Sequence, residues 1–227
     1  MAGSLDRRAR KAPIECPVRR LGICGAAADP CGRLRGARKK HGPDETLVEE
    51  GESVATIQVV VSGCVRAFKM LPDGRRQIVG FLGPGDLIGH LSDRQIAGCE
   101  AVDAVEVCAF PKIRLENACS EERAVLAELD NMLAAQAHRA QELAANLGRK
   151  NALGRVAWFL LDRAGRSARR SEIPLPMSRM DIADFLGLRI ETISRAFSAL
   201  KKSAAIATGP SSFSVRDHGE LARAAGG

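Results

Sequence analysis

Apolar residues fall into two rhythms along this chain, and the change between them divides it. From about Thr46 to Ile113, short apolar stretches such as TIQVVV, RAFKM, RQIVGFL and AVEVCAF alternate with turn signals. The turns are Glu52-Ser53, Ser62-Gly63, Pro72-Asp73-Gly74 and Gly83-Pro84-Gly85-Asp86. Asp-Gly between apolar runs signals a hairpin, and many short strands with regular turns predict a sandwich or jelly roll. From residue 120 the period lengthens. Leu126, Leu129, Leu133, Gln136, Ala140, Leu143 and Leu147 recur at three-four steps, the seam of a two-stranded coiled coil. Ser120 and the acidic pair behind it supply a start signal for this helix, over 120–147. The same stripe also suits a helix that packs partly on its own domain. A second helix, from Gly148 to Arg166, offers Val156, Trp158, Phe159, Leu160 and Leu161 for a core.

The stretch SRMDIADFLGLRIETISRAFSALKK, from Ser178 to Lys202, reads as two short helices broken at Gly187. Ser178 is a fitting cap, and Met180, Ile182, Ala183 and Leu186 share one face of the first helix. Ile190, Ile193, Phe197 and Leu200 form the stripe of the second. The face left over carries Arg189, Glu191, Ser194, Arg195 and Lys201. Two short helices joined at a glycine, the second with a polar face, suggest a helix-turn-helix. Arg195 can donate two bonds to a guanine edge, and Glu191 can accept from a cytosine amino group. Glu191 and Arg195 are four apart, so they can also orient one another. An amphipathic helix with a solvated charged face shows the same pattern, so the stripe alone leaves both readings open. Beyond it, AAIATG and FSVRD flank Gly209-Pro210 as the two strands of a wing, with Lys201, Lys202 and Arg216 as phosphate-contact candidates. The tail from Leu221 reads as frayed.

The 227 residues carry a formal net charge of +7, which suits a polyanionic partner. With no tyrosine and one tryptophan, stacking on single-stranded bases is a poor account of that charge. No apolar run approaches bilayer length, and the basic start MAGSLDRRARKAP has no apolar segment behind it. A cytoplasmic location with no membrane partner is the expectation. Disulfides are then unexpected, so the seven cysteines call for buried packing or metal chemistry. His41, His90, His138 and His218 are scattered, and no GxSxG, P-loop or HExxH string occurs, so no enzyme is expected.

The string DIADFLGLRIETISRAFSALKKSAAI resembles the DNA-binding region of the CRP/FNR family of bacterial regulators. Glu191, Ser194 and Arg195 reproduce the Glu-x-x-Ser-Arg version of the FNR/FixK branch, which implies recognition of TTGAT-type half-sites. DGRRQIVGFLGPGDLIGHL resembles the matching hairpin of the family's sensory β-roll. The resemblance therefore implies an α+β chain: an N-terminal β-roll (jelly-roll, cyclic-nucleotide-binding-like) sensory domain, a long dimerisation helix and a C-terminal winged helix-turn-helix. The boundaries expected are 1–33 for a basic arm and cysteine segment, 34–119 for the β-roll, 120–147 for the dimer helix and 148–227 for the DNA-binding domain. In the family the long helix is the dimer interface, here carrying Leu126, Leu129, Leu133, Ala140 and Leu143.

Cyclic-nucleotide-binding relatives carry Glu after the glycine that aligns with Gly89, and later an Arg-Ser or Arg-Thr pair for the phosphate. Here His90 follows Gly89, and Gly98-Cys99 stands at the later position, so no cyclic nucleotide is expected. CPVRRLGIC resembles the cysteine segment of FnrL-type oxygen sensors, and Cys108 occupies the place of their sensory-domain ligand. The resemblance implies a [4Fe–4S] cluster on Cys16, Cys24 and Cys108, with Cys31 as the nearby cysteine that could replace the missing fourth ligand. The chain departs from the pattern in two ways: the first cysteine is replaced by Pro13, and the short helix before the first strand lacks room. Two mechanisms stay open within the expected function of a homodimeric transcription regulator, activator or repressor, that binds double-stranded DNA and RNA polymerase. One uses an oxygen-labile cluster, and the other is cofactor-free, with activity following protein level or thiol oxidation. A redox or metal-binding protein with degenerate DNA binding is the alternative of a different class.

Overall fold

The computed structural model describes residues 36–89, 93–167 and 171–226. The expected basic arm, Pro13, the ligands Cys16, Cys24 and Cys31, and His90 lie outside them.

The first half is a jelly roll of two four-stranded antiparallel sheets. One has the order β1-β8-β3-β6, from Ala37–His41, Val105–Pro111, Thr56–Ser62 and Leu87–Ile88. The other has the order β2-β7-β4-β5, from Thr46–Val48, Gly98–Ala101, Val65–Met70 and Arg76–Leu82. Val60, Val65, Ile88, Ala101 and Val107 fill the space between the sheets. The turn at Pro72-Asp73-Gly74 closes the β4–β5 hairpin, with Gly74 in the left-handed region at φ +79°. Strand β1 was not anticipated. Its sequence ARKKH has no apolar alternation, yet it pairs along β8 from Ala37↔Ala109 to His41↔Val105.

Two helices follow, α1 (Lys112–Glu121) and α2 (Arg123–Arg149). Ser120 is therefore not a helix start. It ends α1, its hydroxyl donates to the Glu116 carbonyl at 3.0 Å, and Glu122 precedes α2 in an extended conformation. Leu115 and Ala118 of α1 and Val125 and Leu129 of α2 seal the outer face of the first sheet.

The second half contains α3 (Ala152–Arg166), β9 (Ile173–Pro174), α4 (Arg179–Leu186), α5 (Ile190–Lys202), β10 (Ile206–Thr208), β11 (Ser212–Val215) and α6 (His218–Gly226). Strands β10, β11 and β9 form the expected wing sheet. The tail is not frayed: Leu221 and Ala225 of α6 are buried in the domain core. That core extends into the β-roll through Cys64, Phe68, Ile78 and Phe81. Phe81, Phe159 and Phe185 meet across the junction with ring centroids 5.2, 5.8 and 6.1 Å apart. Such aromatic pairs add about 0.5–1.5 kcal/mol each beyond simple burial.

The stripe of α2 divides between uses. Leu129 is only 3% exposed and packs into its own β-roll core, and the Gln136 amide donates to the Leu87 carbonyl at 2.9 Å. Leu143 packs against the DNA-binding core. Leu129 is thus a core residue, which corrects its place in the expected dimer seam. Leu126, 49% exposed, and the exposed Ala140 remain on the outer face, while the half-buried Leu133 packs against the β-roll core.

No helix among the described residues is long and apolar enough to cross a membrane.

Candidate nucleic-acid interface

The two helices of the 178–202 stretch are built as the pattern demands. Ser178 Oγ accepts the Asp181 N–H at 3.0 Å, and Asp181 Oδ2 accepts the Ser178 N–H at 3.0 Å. This reciprocal capping box satisfies two donors that a helix start leaves open. At the other end Gly187 adopts φ +61°, ψ +43°, a left-handed cap that β-branched residues avoid. The Leu188 N–H then reaches the Ala183 carbonyl at 2.9 Å, and the chain turns into α5.

Helix α5 buries Ile193, Ala196, Phe197 and Leu200 and leaves Arg189, Glu191, Ser194, Arg195, Ser198, Lys201 and Lys202 exposed. Its first two turns therefore present a carboxylate, a hydroxyl and a guanidinium on one face. The Ser194 hydroxyl donates to the Ile190 carbonyl at 3.0 Å, which fixes its direction. Among the described residues Glu191 and Arg195 form no ion pair, so the mutual orientation read from their spacing is absent and both side chains face outward. Lys201 and Lys202 lie in the last turn, where cations complement the helix dipole. Arg216 follows β11 and is exposed.

Two arginines that the sequence reading missed hold this unit. The Arg179 guanidinium lies 3.2 Å from the ring centroid of Phe197, which ties the first helix to the second. Burial lowers its pKa, and its Nη1 has no hydrogen-bond partner among the described residues. Arg155 donates to the Leu147, Lys150 and Leu186 carbonyls at 2.8, 3.0 and 3.1 Å. It thereby satisfies carbonyls at the ends of both α2 and α4 and joins the long helix to the helix-turn-helix. A basic residue one turn into an amphipathic helix carries no local signal for that role. The spacing Ser178-x-x-Asp181 did carry a signal for the capping box.

Two segments of the chain match family models: residues 154–224 the Crp-like helix-turn-helix domain, and residues 38–122 the cyclic nucleotide-binding domain. The nitrogen fixation regulation protein FixK of Bradyrhizobium diazoefficiens is 37% identical over 203 residues, covering 85% of each chain. The chain belongs to the CRP/FNR family, on its FNR/FixK branch. This CRP/FNR-family regulator is also similar to the transcriptional activatory protein AadR of Rhodopseudomonas palustris, at 36% identity over 89% of this chain and 88% of that one. Its fold is similar to that of FixK2 from Bradyrhizobium japonicum, with a TM-score of 0.79 and 35% identity over 84% of this chain and 97% of that one. The chain is thus a DNA-binding transcription regulator.

Of the four expected cluster ligands, Cys108 lies among the described residues. Cys108 is 2% exposed and packs among Val59, Phe110, Leu115 and Leu129. Cys16, Cys24 and Cys31, the other three expected ligands, lie outside the described residues. Among the described residues no three His, Cys, Asp or Glu side chains group as metal ligands. The other cysteines of this half read as packing residues too: burial pushes the Cys64 thiol up to about 11 and the Cys99 thiol up to about 12. Cys99 and Gly98 lie in β7, and a Cβ on Gly98 would sit 2.6 Å from the Phe68 ring.

Proposed function

We propose that this regulator acts as a homodimer that reads TTGAT-type palindromes with Glu191, Ser194 and Arg195 and activates transcription through contact with RNA polymerase. The observation that carries the reading is the first two turns of α5, whose polar face is exposed while its apolar face is locked into the domain core. Arg189, Ser178, Lys201, Lys202 and Arg216 border that face and suit phosphate contacts, which position the protein without reading sequence. The activator role rests on the names of relatives such as AadR.

Replacing Arg195 by alanine tests this directly. Loss of one bidentate base contact is expected to cost about 1–3 kcal/mol of binding to a TTGAT palindrome and to relax the preference at that base. Fluorescence anisotropy on the palindrome and on its single-base variants reads both effects. Unchanged affinity and unchanged base preference would remove α5 from the recognition role.

For the sensing step we favour the cofactor-free reading, with activity set by protein level or thiol oxidation. The replacement of the family's first cysteine by Pro13 supports it. Nor is a cyclic nucleotide expected, since His90 follows Gly89 and Gly98-Cys99 stands where relatives carry an Arg-Ser or Arg-Thr pair. Protein purified without air is expected to be colourless, to contain no iron and to bind the palindrome. A brown absorption that bleaches in air, with about four irons per chain, would restore the cluster reading.

A further inference from the structure

Strand β5 is the outer strand of its sheet and offers backbone groups that no further strand pairs. The DNA-binding domain takes them up. The Ile78 N–H donates to Asp184 Oδ2 at 3.0 Å, and the Gln77 side-chain amide donates to the Asp184 carbonyl at 2.6 Å. Asp184 is on α4, the first helix of the helix-turn-helix. One turn earlier, Asp181 does two things at once. Its Oδ2 accepts from Ser178 in the capping box, while its Oδ1 lies 3.6 Å from Arg66 Nη1 of β4 and 3.9 Å from Arg76 Nη2 of β5. Arg66 is 8% exposed and is held in turn by Glu100, at 2.9 Å from its Nε, and by Asp44, at 2.7 Å from its Nη2. Arg76 bonds Glu100 at 2.9 Å and lies 5.8 Å from the Phe68 ring centroid.

From this we infer that Arg66, Arg76 and the Gln77-Ile78 edge are positioning residues for DNA reading: they clamp α4 to the sensory sheet and so set the direction in which α5 is presented. The two carboxylates of α4 are met by two guanidinium groups and one main-chain N–H, all on neighbouring strands. Because α4 and α5 share a core and the Arg179–Phe197 stack, the pair turns as one body. Glu191, Ser194 and Arg195 stay exposed while the clamp is closed, so it orients the reading face rather than covering it. The inference rests on the dimeric reading proposed above. A two-fold dimer must place two recognition helices in major grooves one turn of DNA apart, and a rigid clamp makes that separation a fixed property of the protein.

The test uses the full chain with Asp184→Ala and Arg76→Ala, singly and together, alongside Arg76→Lys. Hydrogen exchange at the Ile78 amide reads the clamp without DNA. Binding is then measured on TTGAT palindromes whose half-site spacing is native or changed by one base pair either way. Thermal unfolding and sedimentation verify that each variant is folded and associates as the unmodified protein does. In Asp184→Ala the Ile78 amide is expected to lose protection. If the clamped arrangement falls to about one-tenth of the population, affinity at native spacing falls about tenfold. The penalty for altered spacing is expected to shrink as well, because a loosened domain adapts to either separation, and Arg76→Lys is expected to retain most of it. An unprotected Ile78 amide in the unmodified chain would overturn the clamp, as would an equal loss at every spacing with the penalty intact. Failure of the unmodified protein to bind any of these palindromes would instead overturn the proposed function, and the Ile78 measurement would still judge the clamp.

Discussion

Asp86→Ala is expected to lower the stability of the regulator by about 3 kcal/mol, the low end of the range for removing one partner from a buried ion pair. Asp86 is 7% exposed and ends the Gly83-Pro84-Gly85-Asp86 turn of the β-roll. Its carboxylate accepts the Gly83 N–H at 2.9 Å and forms ion pairs with Arg139 of α2 and Arg166 at the end of α3. One side chain thus joins the sensory domain, the long helix and the DNA-binding domain. Truncating it takes a carboxylate from two guanidinium groups at once, of which Arg166 keeps the Phe81 carbonyl at 3.3 Å and Asp162 at 3.9 Å. Their side chains are 28% and 25% exposed, so water recovers part of the loss, which is why the low end applies. For a chain of this size a loss of about 3 kcal/mol corresponds to a thermal midpoint roughly 6–12 °C lower. Asp86→Asn keeps an acceptor for Gly83 but loses the charge, and is expected to fall between alanine and the unmodified residue. A shift under about 1 kcal/mol for Asp86→Ala would mean that both bridges are screened like surface pairs.

What the sequence made legible were features encoded locally. Turn residues between short apolar runs spelled the jelly roll, and Pro72-Asp73-Gly74 does close a hairpin. Gly187 and the stripe of Ile193, Phe197 and Leu200 spelled the helix-turn-helix, and the Glu-x-x-Ser-Arg string assigned its branch. Features decided by tertiary partners stayed hidden. ARKKH has the composition of a solvated tract and becomes a strand only because β8 offers an edge. HGELARAAG is alanine-rich and polar, and its burial depends on the core it joins near α3. The bonds made by Asp86, Asp184 and Arg66 reach residues 53 to 107 positions away for the first two and 34 positions away for Glu100, with no periodicity to announce them.

The seam of α2 shows how a correct period can leave the register open. Positions 126, 133, 140 and 147 belong to two interleaved heptad sets. One completes with Leu129, Gln136 and Leu143, which the structure turns toward its own domains. The other completes with Asp130, Ala137 and Ala144, all exposed. Hydrophobicity alone favours the first set, because leucine outweighs alanine. Yet Leu129 and Leu143 are already committed within the chain, so the second set is the one free to meet a partner helix. Its small residues permit close approach of two helix backbones. Ala137→Glu with Ala144→Glu is therefore expected to convert the proposed dimer to monomer in sedimentation, since like charges would face each other across its two-fold axis. Each monomer would then hold one half-site alone. Loss of the second, intramolecular contact is expected to weaken palindrome binding by about a hundredfold or more. Leu129→Ala should behave in the opposite way: a core cavity costing about 2–5 kcal/mol of stability, with association unchanged below the melting transition. A doubly substituted protein that remains dimeric, beside a Leu129→Ala protein that falls apart while still folded, would return the interface to the leucine register.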